Sequence, residues 1–209
     1  MAPATPSAQQ RLSSLPQTFT YSQARSLGRL SDRQLGALLD DGIIEILSRG
    51  LYRRTDGPVT TGDNEEPPDV DLLEIAARTP RATLCLTSAL ARHGLTDAIP
   101  ARIDIAIPRG NHRPALTAPV TWHTFDRPTF DIGRDTQQAG DELRIGIYNA
   151  ERSIIDAFRL SHLEGPELGI EALKRWLRQP GATPSSLTSM ARRFPKAGPS
   201  LRQALTILQ

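Results

Sequence analysis

Residues 19–54 read FTYSQARSLGRLSDRQLGALLDDGIIEILSRGLYRR, and this stretch decides the fold of the N-terminal part of the chain. Thr20 with Gln23, and Ser31 with Gln34, have the spacing of a capping box. In that motif the hydroxyl accepts from an amide of the first helical turn, and the glutamine side chain accepts from the amide of the capping residue. The spacing therefore predicts two short helices, one after Thr20 and one after Ser31.

The segment also predicts where these helices end. Gly28 and Gly42 are expected to end the first and second helix. Beyond Gly42 the hydrophobic period changes to two, with Ile44 and Ile46 predicted on one face and Glu45 on the other, and residues 48–53 supply a turn and a return strand. Two helices, a tight turn and a hairpin in this order predict a winged helix-turn-helix.

The second helix is predicted to bury Leu35, Leu38 and Leu39 and to present its opposite face to the major groove of DNA. There, Ser31, Arg33 and Gln34 are predicted to read bases. Arg33 fits a guanine edge and Gln34 an adenine edge, each contributing about 1–3 kcal/mol of discrimination. Arg25, Arg29, Arg49 and Arg53 suit phosphates, which fix the register on DNA. The full set of predicted DNA-binding residues is Thr20, Ser22, Gln23, Arg25, Arg29, Ser31, Arg33, Gln34, Arg49 and Arg53.

Length and composition predict two domains. The chain has 209 residues, 38% of them hydrophobic and 23% charged, with a formal net charge of +2; this is a globular composition. We predict a winged helix-turn-helix domain over residues 1–57, an acidic Pro/Gly linker over 58–68 and a C-terminal domain over 69–209. The pattern of residues 19–54 is also compatible with a small helical domain whose arginines are merely solvated.

The C-terminal domain shows mixed patterns. Helical patterns at residues 69–78 and 84–93 are followed by alternating patterns at 103–107, 120–125 and 143–148, which predict strands of a small antiparallel or mixed sheet. Several helical patterns then follow to the end. The predicted fold class is α+β, with a winged helix-turn-helix followed by a mixed α/β domain that has a small sheet and several C-terminal helices.

The last 38 residues, 172–209, contain seven bases and no acid. Such a run is usually a solvated face, but it is also suited to DNA phosphates or to an acidic partner. We predict a possible second basic surface formed by Lys174, Arg175, Arg178, Arg192, Arg193, Lys196 and Arg202.

Catalytic alternatives have weaker support in the sequence. Asp104 could begin a nuclease site, but the second acid and the lysine on a neighbouring strand are missing. Asp69 and Asp71 form an Asp-x-Asp pair without the Gly-Ser turn of a nucleotidyltransferase, and are better explained at a helix N-terminus. The four histidines lack zinc-like spacing. We therefore predict no enzymatic activity, no cofactor and no metal site.

Other features concern the compartment. The single cysteine, Cys85, lies between leucines and is predicted to be a buried structural thiol. No stretch approaches the roughly 20 apolar residues of a membrane span, and the N-terminus is unlike a signal peptide. We predict a cytoplasmic protein without a membrane partner.

Several motifs occur in a particular order along the chain. RGLYR at residues 49–53 is followed by LTSALARHGLTDAIP at 86–100 and IDIAIPRG at 103–110, then by IYNAERSIIDAFR at 147–159 and IEALKRWLR at 170–178. In this succession the sequence resembles the AbiEi family, the antitoxins and transcriptional self-repressors of type IV toxin–antitoxin systems. The resemblance covers nearly the whole chain from about residue 19.

This resemblance implies a winged-helix domain that binds inverted repeats in its own promoter and a C-terminal domain responsible for antitoxicity. It also implies a cognate AbiEii-type nucleotidyltransferase toxin and a role in phage defence by abortive infection. Alternatives that the residues leave open are a non-enzymatic protein-interaction module, a stand-alone transcriptional regulator and, in another class, a nuclease-like enzyme.

Overall fold

The computed structural model describes residues 7–56, 69–140 and 143–208, and these form an α+β protein with two small sheets and several helices. The predicted linker at 58–68 lies outside the described residues. The chain divides into two compact units. The first contains the described residues of Met1–Pro80, Pro114–Ala118 and Gln138–Arg144, and the second those of Arg81–Arg113, Pro119–Gln137 and Ile145–Gln209.

The first unit is built from four helices and three strands among its described residues. In chain order they are α1 (Ala8–Leu12), β1 (Thr18–Thr20), α2 (Tyr21–Ser26), α3 (Asp32–Asp40), β2 (Ile44–Ser48), β3 (Leu51–Arg54) and α4 (Val70–Arg78). The strands form an antiparallel sheet in the order β1-β3-β2. The sequence predicted both helices and the hairpin of residues 19–54, but not β1.

Both capping boxes are confirmed. The Thr20 Oγ1 accepts from the Gln23 amide at 3.3 Å, and the Gln23 Oε1 accepts from the Thr20 amide at 2.7 Å. At α3 the Ser31 Oγ accepts from the Gln34 amide at 3.3 Å, and Gln34 Oε1 accepts from the Ser31 amide at 2.9 Å. Two otherwise unpaired donors are thus satisfied at the start of each helix.

The core of the first unit follows the predicted faces with one exception. Leu35 and Leu38 are buried, Leu39 packs against them, and Ile44 joins the same cluster. Ile46, predicted on the same face as Ile44, is 59% exposed. The helical cluster that covers Ile44 does not include Ile46, which lies at an irregularity where the pairing of β2 with β3 shifts register.

Helix α4 packs against β1 and β2. The sequence analysis placed this helix at the start of a C-terminal domain, whereas the compact units group it with the N-terminal elements. The reason is the packing of α4 against β1 and β2. Glu74 of α4 also ties residues 114–118 to this unit, since it is almost fully buried and accepts from the amides of Thr117 and Ala118 at 3.0 and 2.9 Å. A carboxylate buried in this way must be hydrogen-bonded, and sequence periodicity does not reveal its donors.

The second unit contains a five-stranded sheet in the order β6-β5-β4-β8-β7. Strand β4 is antiparallel to β5 and parallel to β8, and β5 is parallel to β6; the predicted mixed sheet is confirmed. The described elements are β4 (Thr83–Leu84), α5 (Leu86–Arg92), β5 (Ile103–Pro108), β6 (Val120–Phe125), α6 (Arg127–Phe130), β7 (Arg134–Gln138), β8 (Arg144–Tyr148), α7 (Ala150–Arg159), α8 (Ser161–Glu164), α9 (Pro166–Trp176), α10 (Pro184–Ala191) and α11 (Gly198–Leu208).

Helix α7 is the centre of the second unit's core. It packs against α5, α9 and α10, and Ile154, Ile155 and Ala157 are completely buried. Asn149 caps it by accepting from the Arg152 amide at 2.9 Å. Cys85, as predicted, is completely buried, and burial raises the pKa of its thiol well above the ordinary value.

None of the helices in the part of the chain that the structure describes combines the length and the apolar character needed to cross a bilayer.

Candidate functional site

The N-terminal end of α3 is the centre of the predicted interface. Ser31, Asp32 and Arg33 are exposed there, directly after the turn that follows α2. Asp32 is the one acid in the first turn of α3, where it would repel phosphate. It accepts a hydrogen bond from Tyr21 Oη at 2.7 Å and lies 3.7 Å from Arg25 Nη1.

The Tyr21–Asp32 contact was not anticipated by the sequence analysis. The hydrogen bond that Tyr21 donates to Asp32 is the largest cause of the raised pKa of Tyr21. The two residues begin α2 and α3 respectively, and the contact between them depends on how the two helices pack. The arrangement leaves Asp32 with a hydroxyl donor and a nearby cation, which reduces the repulsion that its carboxylate exerts on an anion.

The four capping residues are already engaged. Because Gln34 Oε1 accepts from Ser31, the bidentate adenine contact predicted for Gln34, which needs both its Oε1 and its Nε2, requires the capping box to open. The same restriction applies to Gln23, which is bonded to Thr20. In this arrangement the four side chains form the capping boxes of α2 and α3, so their capping oxygen atoms are not available for a base contact.

The predicted DNA-binding arginines divide into two groups. Arg25 Nη1 donates to the Leu30 carbonyl at 2.9 Å, and Arg53 forms a salt bridge with Glu45 at 2.6 Å. The members of the other group are exposed. Their guanidinium groups form no ion pair and donate no hydrogen bond within residues 7–56, 69–140 and 143–208. This group, which we call the free arginines, consists of Arg29, Arg33 and Arg49.

Ser22 lies on the exposed side of α2, where its carbonyl accepts from Ser26 Oγ at 2.8 Å. Its own hydroxyl makes no described hydrogen bond. Of the ten predicted DNA-binding residues, the structure thus leaves Ser22 and the free arginines with unengaged side chains.

The predicted second basic surface belongs to the second unit. Arg175 is paired with Asp97 and with Glu171, the latter at 2.8 Å, so its charge is compensated. The remaining members are exposed and lack an ion pair within the described residues. They are Lys174, Arg178, Arg192, Arg193, Lys196 and Arg202.

Arg152 of α7 is a fully buried charged residue of the second unit, and its side chain has no exposed surface. Its Nε donates to Asp156 at 2.9 Å and its Nη1 donates to the carbonyls of Thr129 and Ile132 at 2.7 Å. The guanidinium lies 4.2 Å from the ring centroids of both Tyr148 and Phe194. This is a cation–π sandwich around a buried ion pair.

Arg159 completes this cluster by donating to the same Asp156 carboxylate at 2.9 and 3.0 Å. Asp156 is fully buried and thus shared by two arginines. Because its side chain is buried and bonded to groups of the fold, Arg152 is a structural residue of the first turn of α7.

A second polar pair links β5 and β6. Asp104 Oδ1 lies 3.0 Å from His123 Nε2, and both side chains are nearly buried. Ser88 Oγ accepts from the Asp104 amide at 2.8 Å. The sequence does not identify His123 as the partner of Asp104, because the contact arises from the parallel register of β5 and β6.

The residues considered for metal binding do not converge. Asp69 caps α4 by accepting from the Leu72 amide at 3.1 Å, which confirms its interpretation as a helix-terminal carboxylate. Burial raises the pKa of Asp71, with Asp69 and Glu74 adding to the effect. Within the described residues, no three His, Cys, Asp or Glu side chains are grouped as ligands of one metal ion.

Comparisons with known proteins give a limited result. No family model matches the sequence, and no curated protein matches it. Among solved structures the chain is similar to the crystal structure of RV2827C protein from Mycobacterium tuberculosis, at 16% identity and a TM-score of 0.44, over 96% of this chain and 77% of that one. A likeness at this level carries no functional argument.

Proposed function

We propose that the protein is a sequence-specific DNA-binding repressor of its own operon and the antitoxin of a type IV toxin–antitoxin system, counteracting a nucleotidyltransferase toxin. The DNA-binding half of this proposal rests on one observation. The first unit presents the exposed N-terminal end of α3 together with the free arginines, in an element order that a winged helix-turn-helix requires. The antitoxin half rests on the resemblance of the later motifs to the AbiEi family.

The element order supports the proposal as follows. Three short helices and a three-stranded antiparallel sheet alternate as α1-β1-α2-α3-β2-β3. In a winged helix-turn-helix of this order, α3 is the recognition helix and the turn between β2 and β3 is the tip of the wing. Arg33 then lies on the recognition helix and Arg49 on the wing.

The division of the arginines refines the predicted roles. Arg33, in the first turn of α3, is the residue placed to read a base edge, for which its planar fork suits guanine. Arg29 and Arg49 serve as phosphate contacts that set the register. Arg25 and Arg53 already have carbonyl or carboxylate partners, so they contribute less to DNA binding than the free arginines do.

The experiment compares Arg33→Ala and Arg49→Ala in binding to the DNA upstream of the protein's own gene. Arg33→Ala should relax base preference at one position at a cost of about 1–3 kcal/mol, whereas Arg49→Ala should weaken all sequences alike and reduce the salt dependence by about one phosphate contact. Arg53→Ala is the matched control, since it removes a wing arginine that is bound to Glu45. Loss of base preference in Arg49→Ala but not in Arg33→Ala would reject these assignments.

A further inference from the structure

A recess in the second unit lies where β5 ends and α6 begins. It has a volume of about 170 Å³ and is lined by Arg81, Pro108, Asn111, Arg127, Phe130 and Asp131. Neither of the two predicted basic surfaces includes any of these residues. The lining combines two guanidinium groups and one side-chain amide with a single carboxylate.

Arg127 is the cation whose charge is not compensated in this recess. Its Nε donates to the Arg109 carbonyl at 3.0 Å, and no carboxylate of the described residues forms an ion pair with it. The turn that follows β5 brings the backbone close to it, because a Cβ at Gly110 would lie 3.6 Å from Arg127 Nη2. Gly110 has φ +88°, and Asn111 N donates to the Pro108 carbonyl at 3.0 Å, which together close a tight turn.

Arg81 is oriented by three features. Its guanidinium lies 5.1 Å from the centroid of the Phe130 ring and bonds to Asp131, and its backbone has φ +64°, which is uncommon for a residue other than glycine. Asp131 therefore compensates the charge of Arg81 rather than that of Arg127. The partly buried side-chain amide of Asn111 has no hydrogen-bond partner in the described part of the chain, so its donor is available.

The surroundings of the recess are also cationic. Arg109 donates to Asp126 at 2.8 Å, and this hydrogen bond is the largest cause of the lowered pKa of Asp126. The positive charges of Arg159 and Lys196 lower that pKa further. Asp131 is the one carboxylate among the residues that line the recess, and Asp126, which precedes Arg127 in the chain, is paired with Arg109.

We propose that this recess binds a phosphate group. Its volume is below the roughly 300–1,000 Å³ of pockets that enclose a whole drug-sized ligand, so it holds one small group of a larger molecule. A guanidinium presents paired donors that match the oxygens of phosphate. Arg127 and Asn111 supply such donors, and the one carboxylate of the lining, Asp131, is paired with Arg81. The phosphate belongs either to a free nucleotide or to the 5′ end of a nucleic acid strand.

The first test uses inorganic phosphate and the full-length, ¹⁵N-labelled protein. Amide spectra are recorded during titration with phosphate and, separately, with sodium chloride at equal ionic strength. Resonances of Gly110, the Asn111 side chain and Arg127 Nε should shift and saturate with phosphate alone. Shifts that are the same for both salts, or that never saturate, would overturn the proposal.

Two variants and a matched control locate the site. Arg127→Ala should weaken phosphate binding at least tenfold, and Asn111→Ala, which removes only an unpaired amide, about threefold. The control is Arg102→Ala, because Arg102 likewise donates to a carbonyl, that of Val120 at 2.7 Å, but lies at the other end of β5, about 20 Å away. Equal losses of phosphate affinity in Arg102→Ala and Arg127→Ala would contradict the location of the site at the recess. If Arg127→Ala fails to fold, undiminished phosphate binding in Asn111→Ala would contradict that location.

The last arm identifies the source of the phosphate. Thymidine 5′-monophosphate is compared with thymidine, and a short oligonucleotide with a 5′-phosphate is compared with the same strand ending in a hydroxyl. Tighter binding of the phosphorylated member in either pair supports the proposal and names that source. No difference within both pairs would overturn it.

Discussion

Arg33 of the first unit and Arg152 of the second carry the same side chain in opposite circumstances. Arg33 lies on the exposed face of α3, and its guanidinium has no partner in the described part of the chain. Arg152 is completely buried between two aromatic rings and bonds to a carboxylate and two carbonyls. A charged group engaged in this way contributes to the fold, whereas an unengaged one is available to a ligand.

The largest effect is expected from Arg152→Ala. Removing this side chain leaves two carbonyls without donors and Asp156 with one arginine instead of two, in a site that water does not reach. The free energy of unfolding, measured by chemical denaturation, should fall by about 3–5 kcal/mol. Arg159→Ala is the control, because Arg159 bonds to the same carboxylate but is 19% exposed; a loss as large as that of Arg152→Ala would contradict the account.

A smaller effect is expected from Ser31→Ala. The substitution removes the hydroxyl that accepts from the Gln34 amide at the start of α3, and it frees the Gln34 side chain from part of the capping box. Unfolding free energy should fall by about 0.5–2 kcal/mol. If the proposed DNA binding depends on this cap, DNA affinity should fall in parallel; unchanged stability would show that the cap contributes nothing.

Ser31 and Arg152 also show which contacts could be predicted from the sequence. The capping boxes of α2 and α3 were predictable, because each is formed by residues three positions apart. The burial of Arg152 was not, since its partners at Thr129, Ile132 and Phe194 are distant along the chain and are assembled by tertiary packing. An arginine in the first turn of a helix has no local pattern that distinguishes these outcomes.

The strands show the same limit. Residues 103–108 and 120–125 alternate clearly and were predicted, whereas β1, β4 and β7 are very short or polar and exist through pairing with neighbours. At the candidate interface, sequence spacing identified the exposed face of α3. It did not identify which arginines are free, because that depends on the position of Glu45, Asp32 and the Leu30 carbonyl in space.

Arg33→Ala should have little effect on the free energy of unfolding and a large effect on DNA binding. Since Arg33 makes no described contact, the free energy of unfolding should change by no more than about 0.5 kcal/mol. A larger loss would show that Arg33 belongs with Arg152 as a structural residue, and the comparison between them would fail. Denaturation and DNA binding are measured on the same preparation.

Glu164 is intermediate in exposure between the exposed Arg33 and the buried Arg152. Its substitution is expected to have the smallest effect on stability. It is partly exposed, and burial raises its pKa, with the negative charge of Asp104 adding to this and His123 opposing it. Because the folded protein holds this proton more tightly than the unfolded chain does, the stabilisation is fully present below the unfolded pKa of about 4.3 and is lost as pH rises through the higher folded pKa.

Melting temperatures of the wild type and Glu164→Gln between about pH 4 and 7 measure this effect. The variant should lose less stability than the wild type over that range, because a glutamine does not titrate. Parallel curves for the two proteins would contradict the assignment of this pH dependence to Glu164.

The most direct test of the proposed function is binding of the purified full-length protein to the DNA upstream of its own gene, at two salt concentrations and with unrelated DNA as competitor. The account predicts retention of the upstream DNA over excess competitor, and loss of that preference in Arg33→Ala without loss of stability. Binding that disappears with competitor or with moderate salt would contradict a sequence-specific repressor.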